Sequence, residues 1–233
     1  MRKIDLPRPV LDLGCGDGHF GSVAFEMAIE VGVDPAIRLL HEAKRRNAYY
    51  HLTNAEGAHL PYPQAYFASV FSNSVLEHIP VVEPVLRELA RVLRPGGTLV
   101  FTVPNPAYLS ELSLFRMARG LGCRRLGELY ARWFRRVTRV HHLDWEDTWG
   151  ERLGVAGFDL LQAIRYFSPG AMRMLEWGHY LGVPSLVSHW LTKRWVLLPS
   201  KFNLWLTERQ VRRYYDKHLR ADGAFTLYHA RRR

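Results

Sequence analysis

Residues 10–18 read Val10-Leu11-Asp12-Leu13-Gly14-Cys15-Gly16-Asp17-Gly18, and the prediction of the fold starts there. The first four are mainly apolar, as in a buried strand of a parallel sheet. Three alternating glycines follow. Because glycine has no Cβ, it allows positive φ angles and lets a ligand lie against the backbone. Apolar side chains then recur at helical spacing from His19 to Glu30, and this strand–turn–helix order is typical of the start of a nucleotide-binding βαβ unit.

An acidic residue after the next apolar segment supports this prediction. Val31-Gly32-Val33-Asp34 is interpreted as a short second strand that ends in an acid, 18 residues after Gly16. A carboxylate at this strand end can accept hydrogen bonds from the hydroxyl groups of a ribose. A glycine turn alone is common in proteins, so it is the combination with Asp34 that indicates a ligand containing a nucleoside.

Five sequence blocks, in matching order and spacing over residues 8–105, resemble the class I S-adenosylmethionine-dependent methyltransferases, in particular their type 11 group. The blocks are residues 11–18, Val33-Asp34-Pro35, Asn54-Ala55-Glu56 with Leu60-Pro61-Tyr62-Pro63, residues 71–78 and residues 93–105. The resemblance implies an α/β fold with a Rossmann-like, seven-stranded, mostly parallel sheet and helices on both faces. It implies S-adenosylmethionine as the cofactor. Two helical insertions, about 107–150 and 168–219, are expected in addition.

The resemblance also assigns residues to the cofactor. Asp12 is expected to contact the amino group of the methionine part, directly or through water. Asp34, followed by Pro35, is expected to hold the ribose. The adenine is assigned to Asn54 and Ala55, and Glu56 is expected to contact the cofactor as well. Further contacts are expected from the glycine turn and the end of the fourth strand, at Gly14, Cys15, Gly16, Asp17, Gly18, Ser72 and Asn73.

Two positions depart from the family pattern. The family often has an aspartate where Asn54 stands, and that aspartate binds the amino group of adenine. Asn54 keeps an acceptor oxygen and can take the same role, although it can also be read as a plain turn residue. Ala68 stands where the family usually has an aspartate that we expect to be mainly structural, so the assignment is kept.

Candidate catalytic residues follow the fourth strand. A methyl group on a sulfonium is strongly electrophilic, so the enzyme mainly has to orient the acceptor, which can supply on the order of 7–11 kcal/mol. A hydroxyl acceptor also needs a general base. Glu77 and His78 are the candidates in the region of resemblance, and His142, next to His141, is the candidate further along the chain. Alternatively, His78 has a structural role and caps a short helix.

Length and composition favour a single methyltransferase domain over residues 1–233. Residues 1–106 are interpreted as the cofactor-binding half and the two insertions as a cap on the acceptor side. With 48% hydrophobic residues the chain can bury a sizeable core. His142 and Asp144 are too few ligands for a metal site, so no metal is expected. The chain shows two cysteines, no secretory signal and no apolar run long enough to cross a bilayer, which together favour the cytoplasm.

The second half of the chain is strongly basic and aromatic. The net charge is +10, eight arginines and one acid lie between Arg116 and Arg139, and all seven tryptophans follow residue 130. Three interpretations of the arginines stay open: a solvated helix face, phosphate recognition, or contact with an anionic membrane surface. Residues 168–219 combine short apolar stretches with tryptophans and basic flanks, which indicates a helical cap with an acceptor pocket or contact with a membrane.

We therefore expect methyl transfer from S-adenosylmethionine to a small-molecule or lipid-linked acceptor, at oxygen or carbon. The expected location is the cytoplasm, at the inner face of the membrane if the arginines contact lipid. One alternative is a nucleic-acid methyltransferase that uses the basic surface. However, Ser72-Asn73-Ser74-Val75 lacks the Pro-Pro-aromatic run of the amino-methylating enzymes. The other alternative is a non-catalytic cofactor-binding protein, and the acceptor and the oligomeric state stay open.

Overall fold

The chain contains a seven-stranded, mostly parallel sheet. The computed structural model describes residues 6–178 and 223–233. The strands are β1 (Val10–Leu13), β2 (Ile29–Val33), β3 (Tyr49–Thr53), β4 (Phe67–Asn73), β5 (Leu93–Pro104), β6 (Phe158–Tyr166) and β7 (Phe225–Arg232). In space they follow the order β3-β2-β1-β4-β5-β7-β6, and β1 to β5 pair in parallel. This order confirms the predicted Rossmann-like fold, in which the chain reverses direction across the sheet next to β1.

The helices of the described residues mostly begin and end where the sequence predicts. The helix predicted over residues 36–47 is present as α2, which is slightly shorter (Ile37–Arg45), and Pro84 lies in the first turn of α3, where proline is well tolerated. The α-helices are α1 (His19–Ala24), α2 (Ile37–Arg45), α3 (Glu83–Val92), α4 (Ala107–Ser110), α5 (Ser113–Gly120), α6 (Arg124–Val137), α7 (Glu146–Val155) and α8 (Pro169–Gly178), and a 3₁₀ turn spans Leu76–His78.

Two compact units make up the chain, and the first contains the glycine turn. It consists of Met1–Val103, Asp144–Ala163 and Leu227–Arg233. Its apolar core joins alternate residues of β1, such as Leu11, to the inward face of α3 and to aromatic rings. Phe101 and Tyr228 stack with their ring centroids 4.8 Å apart. Fully burying a large apolar side chain contributes about 1.5–3 kcal/mol, so this cluster is the main source of stability for the strands that carry the turn.

The first helix is shorter than predicted. The spacing of apolar residues predicts a helix from His19 to Glu30, whereas α1 ends at Ala24 and residues 29–33 form β2. Ile29 is buried and pairs with Tyr49 of β3. The Glu30 carboxylate accepts a hydrogen bond from the backbone N–H of Val10, at 2.8 Å. Pairing with two neighbouring strands therefore overrides the helical spacing of these residues.

The boundaries of the first insertion also differ from the prediction. Residues 107–150 were expected to form one insertion, but α7 packs in the core of the first unit, where Trp149 and Leu153 are fully buried. The second unit consists of Pro104–Leu143 and Ile164–Thr226. Of the second predicted insertion, residues 168–219, only α8 falls within the described residues, and 179–219 lie outside them.

The second unit has its own apolar core around α4, α6 and α8. Tyr108, Phe134 and Met172 are buried in it. In the same unit, a single buried carboxylate on α8 accepts hydrogen bonds from the first residue of α5. Within residues 6–178 and 223–233, no helix is long and apolar enough to span a bilayer.

Glu176 of α8 is that carboxylate. It is fully buried and accepts hydrogen bonds from the backbone N–H and the hydroxyl of Ser113, both at 2.6 Å, and from the hydroxyl of Tyr130 at 2.7 Å. Ser113 begins α5, and the first N–H groups of a helix have no partner within the helix. Glu176 therefore caps α5 from a different helix and fixes Tyr130 of α6 at the same time.

We expect Glu176→Ala to lower the free energy of unfolding by about 2–4 kcal/mol, because each buried donor left without an acceptor costs about 1–3 kcal/mol. Urea denaturation measures the change. The matched control is Glu128→Ala, since Glu128 is an exposed acid on α6, and its effect should stay within about 0.5 kcal/mol. Equal effects of the two substitutions would contradict the capping role of Glu176.

Candidate functional site

The glycine turn after β1 is open at one of its three glycines. All three have positive φ, at 74°, 54° and 75° for Gly14, Gly16 and Gly18. A Cβ on Gly14 would collide with the side chain of Val75, and one on Gly18 would lie 3.0 Å from Ala43. A Cβ on Gly16 would meet nothing within 4 Å. Gly16 is therefore where a ligand can approach the backbone of the turn.

Asp34 holds Gly16 in place from the end of β2. One carboxylate oxygen accepts the N–H of Gly16 at 3.0 Å, and the other accepts the N–H of Ala36 at 2.8 Å. The carbonyl of Val33 accepts two more N–H groups of the turn, from Gly14 and Cys15. A carboxylate offers about four lone-pair positions, and the N–H groups of Gly16 and Ala36 occupy two of them. The other two can accept hydrogen bonds from ribose hydroxyl groups.

Asn54 joins the end of β3 to the turn that carries Asp34. Its amide nitrogen donates to the carbonyls of Asp34, at 3.0 Å, and Pro35, at 2.8 Å. These two bonds use both amide hydrogens, which leaves the side-chain oxygen as an acceptor. Asn54, Pro35 and Glu56 are exposed, and Ala55 is partly buried. The residues predicted to surround the adenosine therefore lie on connected strand ends, and the acceptor oxygen proposed for the adenine amino group is available.

Asp12 has a partner that the sequence did not reveal. Asp12 is only 3% exposed, and the hydroxyl of Tyr49 donates to its carboxylate at 2.7 Å. Burial raises the pKa of Asp12 to about 7. The hydrogen bond from Tyr49 opposes this shift and the charge of Asp34 adds to it. Burial and the neighbouring Asp12 also raise the pKa of Tyr49, so its hydroxyl stays a donor. Tyr49 begins β3, and no spacing in the sequence connects it to Asp12.

The other two polar residues of the turn already have protein partners. Asp17 accepts the N–H of His19 at 3.0 Å and forms an ion pair with Arg46 at 2.8 Å. Cys15 is buried, and burial raises the pKa of its thiol, so the thiol stays protonated. Asp17 thus links the start of α1 to the end of α2, and its contact with the cofactor stays a prediction.

Ser72 and Asn73 at the end of β4 bond to neighbouring strands. Ser72 is fully buried and its hydroxyl donates to the carbonyl of Leu13 at 3.0 Å. The side-chain oxygen of Asn73 accepts the hydroxyl of Thr102 at 2.8 Å. Ser72 thus holds β1 against β4 at the entry to the turn, and its contact with the cofactor stays a prediction. Asn73 is partly buried and keeps its predicted role.

Glu77 is a buried acid in the 3₁₀ turn after β4. It is 2% exposed, and its Oε2 has no hydrogen-bond partner among the residues that the structure describes. Burial raises the pKa of Glu77 to about 8, so the neutral acid predominates at neutral pH. The Nε2 atom of His78 lies 3.8 Å from the other carboxylate oxygen, too far for a hydrogen bond. His78 is the more accessible of the two, with a side chain that is 41% exposed.

His142 belongs to the second unit, whereas Glu77 and His78 belong to the first. It is partly buried. In residues 6–178 and 223–233 there is no cluster of three histidine, cysteine or acidic side chains that could hold a metal ion. The catalytic role predicted for His142 stays a prediction.

Comparison with known proteins gives matches for the first half of the chain. Residues 11–101 match the family model described as a methyltransferase domain. A malonyl-acyl-carrier-protein O-methyltransferase of Legionella pneumophila is 33% identical over 112 residues, which are 46% of this chain and 39% of that protein. The enzyme of the same name from Enterobacter lignolyticus is 36% identical over 104 residues, 44% of this chain and 41% of that protein. The matched region thus spans about two fifths of these relatives.

A solved structure matches over almost the whole chain. It comes from Thermotoga maritima and is described as an S-adenosylmethionine-dependent methyltransferase. The TM-score is 0.60 at 16% identity, and the match covers 98% of this chain and 84% of that one. At this identity the likeness shows the fold, and it agrees with the strand order found here.

We expect Gly16→Ala to weaken binding of S-adenosylmethionine at least tenfold, because the new Cβ fills the space through which a ligand reaches the turn. Calorimetric titration measures the affinity. The positive φ makes the substitution cost about 1 kcal/mol of stability as well. Gly96→Ala is the matched control. Gly96 also has a positive φ and open space for a Cβ, but it lies in the exposed first part of β5 and not in the glycine turn. The prediction fails if both variants bind as tightly as the native chain.

The pKa of Glu77 predicts how stability changes with pH. Its pKa is raised from 4.5 to about 8 in the folded chain, so the folded state holds a proton that the unfolded state releases, and stability falls as pH rises across this window. Glu77→Gln removes this dependence. Relative to the native chain, the variant should gain about 5 kcal/mol between about pH 4.5 and pH 9 in urea denaturation, since each unit of pKa difference is worth about 1.4 kcal/mol. A pH-independent difference would show that Glu77 ionises normally.

Proposed function

We propose that the chain is a class I S-adenosylmethionine-dependent methyltransferase and that it transfers the methyl group of S-adenosylmethionine to an oxygen of a small-molecule or lipid-linked acceptor. The observation that carries this proposal is the open backbone at Gly16 beside the carboxylate of Asp34. Acceptor oxygens for a ribose and for an adenine amino group lie next to that opening. The residues present therefore fit this cofactor.

The cofactor brings a methyl group on a positively charged sulfur, together with a charged amino group. Asp34 is proposed to accept the ribose hydroxyls with its remaining lone pairs, and Asn54 the adenine amino group with its free oxygen. Asp12 is proposed to face the amino group. Because the pKa of Asp12 is about 7, binding of a cation should favour its ionised form, and binding should release a proton below that pH.

We propose a carboxylate as the acceptor oxygen. The support comes from the relatives, whose printed name is malonyl-acyl-carrier-protein O-methyltransferase. A carboxylate is already ionised at neutral pH, so the chain only has to orient it. This agrees with the raised pKa of Glu77, about 8, because a carboxyl group that keeps its proton at neutral pH cannot accept one from the acceptor. His78, which is half exposed, is then proposed to orient the acceptor by hydrogen bonding.

The second unit is proposed to supply the acceptor side, with His142 as its candidate polar contact. A cytoplasmic location fits the two cysteines, which are both free thiols, one of them the exposed Cys123. A lipid-linked acceptor would bring the enzyme to the inner face of the membrane. These parts of the proposal concern residues beyond 11–101, the range that the family model matches.

The test is transfer of labelled methyl groups from S-adenosylmethionine to fractionated cell extract. We expect the label in small-molecule, lipid or carrier-protein fractions, and we expect mild alkali to release it, because methyl esters hydrolyse readily. Label that resists alkali would indicate an ether or carbon product. Label in RNA would favour the nucleic-acid alternative, and cofactor binding without any transfer would favour the non-catalytic one.

His78→Gln separates orientation from base catalysis. An orienting role predicts an acceptor KM raised about tenfold and a kcat nearly unchanged, whereas loss of a general base lowers kcat by about 10²-fold or more. The matched control is His41→Gln, because His41 is an exposed histidine on α2. A large fall in kcat with unchanged KM would contradict the carboxylate proposal and restore His78 as the base.

A further inference from the structure

Helix α6 of the second unit has an apolar stripe that is exposed in the part of the chain that the structure describes. Leu126, Leu129 and Trp133 stand at positions i, i+3 and i+7, so they lie along one side of the helix. They are 62%, 54% and 43% exposed. Apolar side chains of this size that remain exposed together mark a surface for interaction.

A different side of α6 makes the contacts within the unit. Gly127, Ala131 and Phe134 are its buried residues. Gly127 lies so close to α5 that a Cβ there would be 3.3 Å from the carbonyl oxygen of Phe115. The side of α6 that packs within the unit is thus a different one from the side that carries the exposed apolar stripe.

Arginines follow the stripe on its solvent side. Arg125, Arg132 and Arg136 are all exposed, and helical spacing places them next to Leu129. Arg125 and Arg136 have no acidic partner among residues 6–178 and 223–233. Water-exposed surfaces usually mix charges of both signs, but Glu128 is the one acid in α6. Within the described residues, the basic charge of this face is therefore not balanced by acidic side chains.

Helix α5 and the turn that follows it also expose apolar and basic side chains. Met117 of α5 is 57% exposed, Leu121 in the turn between α5 and α6 is 73% exposed, and Arg119 is exposed as well. The α5–α6 hairpin thus presents apolar and basic side chains together. Trp133 is held by its neighbour Tyr130, with ring centroids 5.7 Å apart.

We propose that this face, defined as Arg125, Leu126, Leu129, Arg132, Trp133 and Arg136, docks on an anionic lipid surface. Arginine side chains can pair with lipid phosphates while leucine and tryptophan enter the boundary between headgroups and acyl chains. A nucleic acid would use the arginines but gives no place for a leucine stripe. Docking deepens the membrane location given under the proposed function by naming the surface, and it can be tested by itself because it requires neither cofactor nor methyl transfer.

Flotation of the full chain with lipid vesicles tests the proposal. We expect the chain to float with phosphatidylcholine vesicles that contain about a third phosphatidylglycerol, to float poorly with pure phosphatidylcholine, and to be released by high salt. Replacing Arg125, Arg132 and Arg136 together by glutamate should weaken binding about a hundredfold or more. Leu129→Ser with Trp133→Ser should weaken it about tenfold at unchanged salt dependence.

The control is Arg87→Glu, which reverses the charge of an exposed arginine on α3 in the first unit. It should float like the native chain. Unchanged circular dichroism and urea denaturation show that each variant is folded. Affinity for S-adenosylmethionine is measured separately, because its site lies in the first unit, and it distinguishes a failure of the proposed function from a failure of docking. The proposal is overturned if the native chain stays with the soluble fraction at low salt. It is equally overturned if the arginine variant floats normally, or if an acidic protein or RNA is bound while vesicles are not.

Discussion

The hydrogen bond from the N–H of Gly16 to the carboxylate of Asp34 is the constraint on which the candidate site depends. It fixes the glycine turn of β1 against the end of β2 at 3.0 Å. Asp34 is 8% exposed, so its charge is stabilised there by backbone donors and not by water. Asn54 then adds β3 to the same corner by donating to the carbonyl of Asp34. Three strand ends and their ligand-facing groups thus form one connected polar network.

The parts of the site that depend on local sequence could be predicted. Positive φ at Gly14, Gly16 and Gly18 follows from alternating glycines after a strand, and the position of Asp34 follows from the length of one βα unit. The seven-stranded fold followed in the same way from the order of the motifs. The amide orientation of Asn54 was only half predictable, because its donors bind backbone groups that come together only in the folded chain.

Contacts between residues far apart in sequence could not be predicted. The bond between Tyr49 and Asp12 spans 37 positions, and the one between Glu176 and Ser113 spans 63. Ser72 looked available to a cofactor but is enclosed between strands, where it bonds to Leu13. Burial, which sets the pKa of Glu77 and Asp12, is likewise a property of the assembled core. The sequence supplies the groups, and packing decides which of them stay available.

Calorimetric titration of S-adenosylmethionine into the native chain and into Asp34→Asn tests the central claim most directly. Asparagine keeps the size of the side chain but removes its charge and one of the two acceptor oxygens that hold Gly16 and Ala36. The account predicts measurable binding to the native chain and at least tenfold weaker binding to the variant, with the variant still folded by circular dichroism. Equal affinity of the two would contradict it.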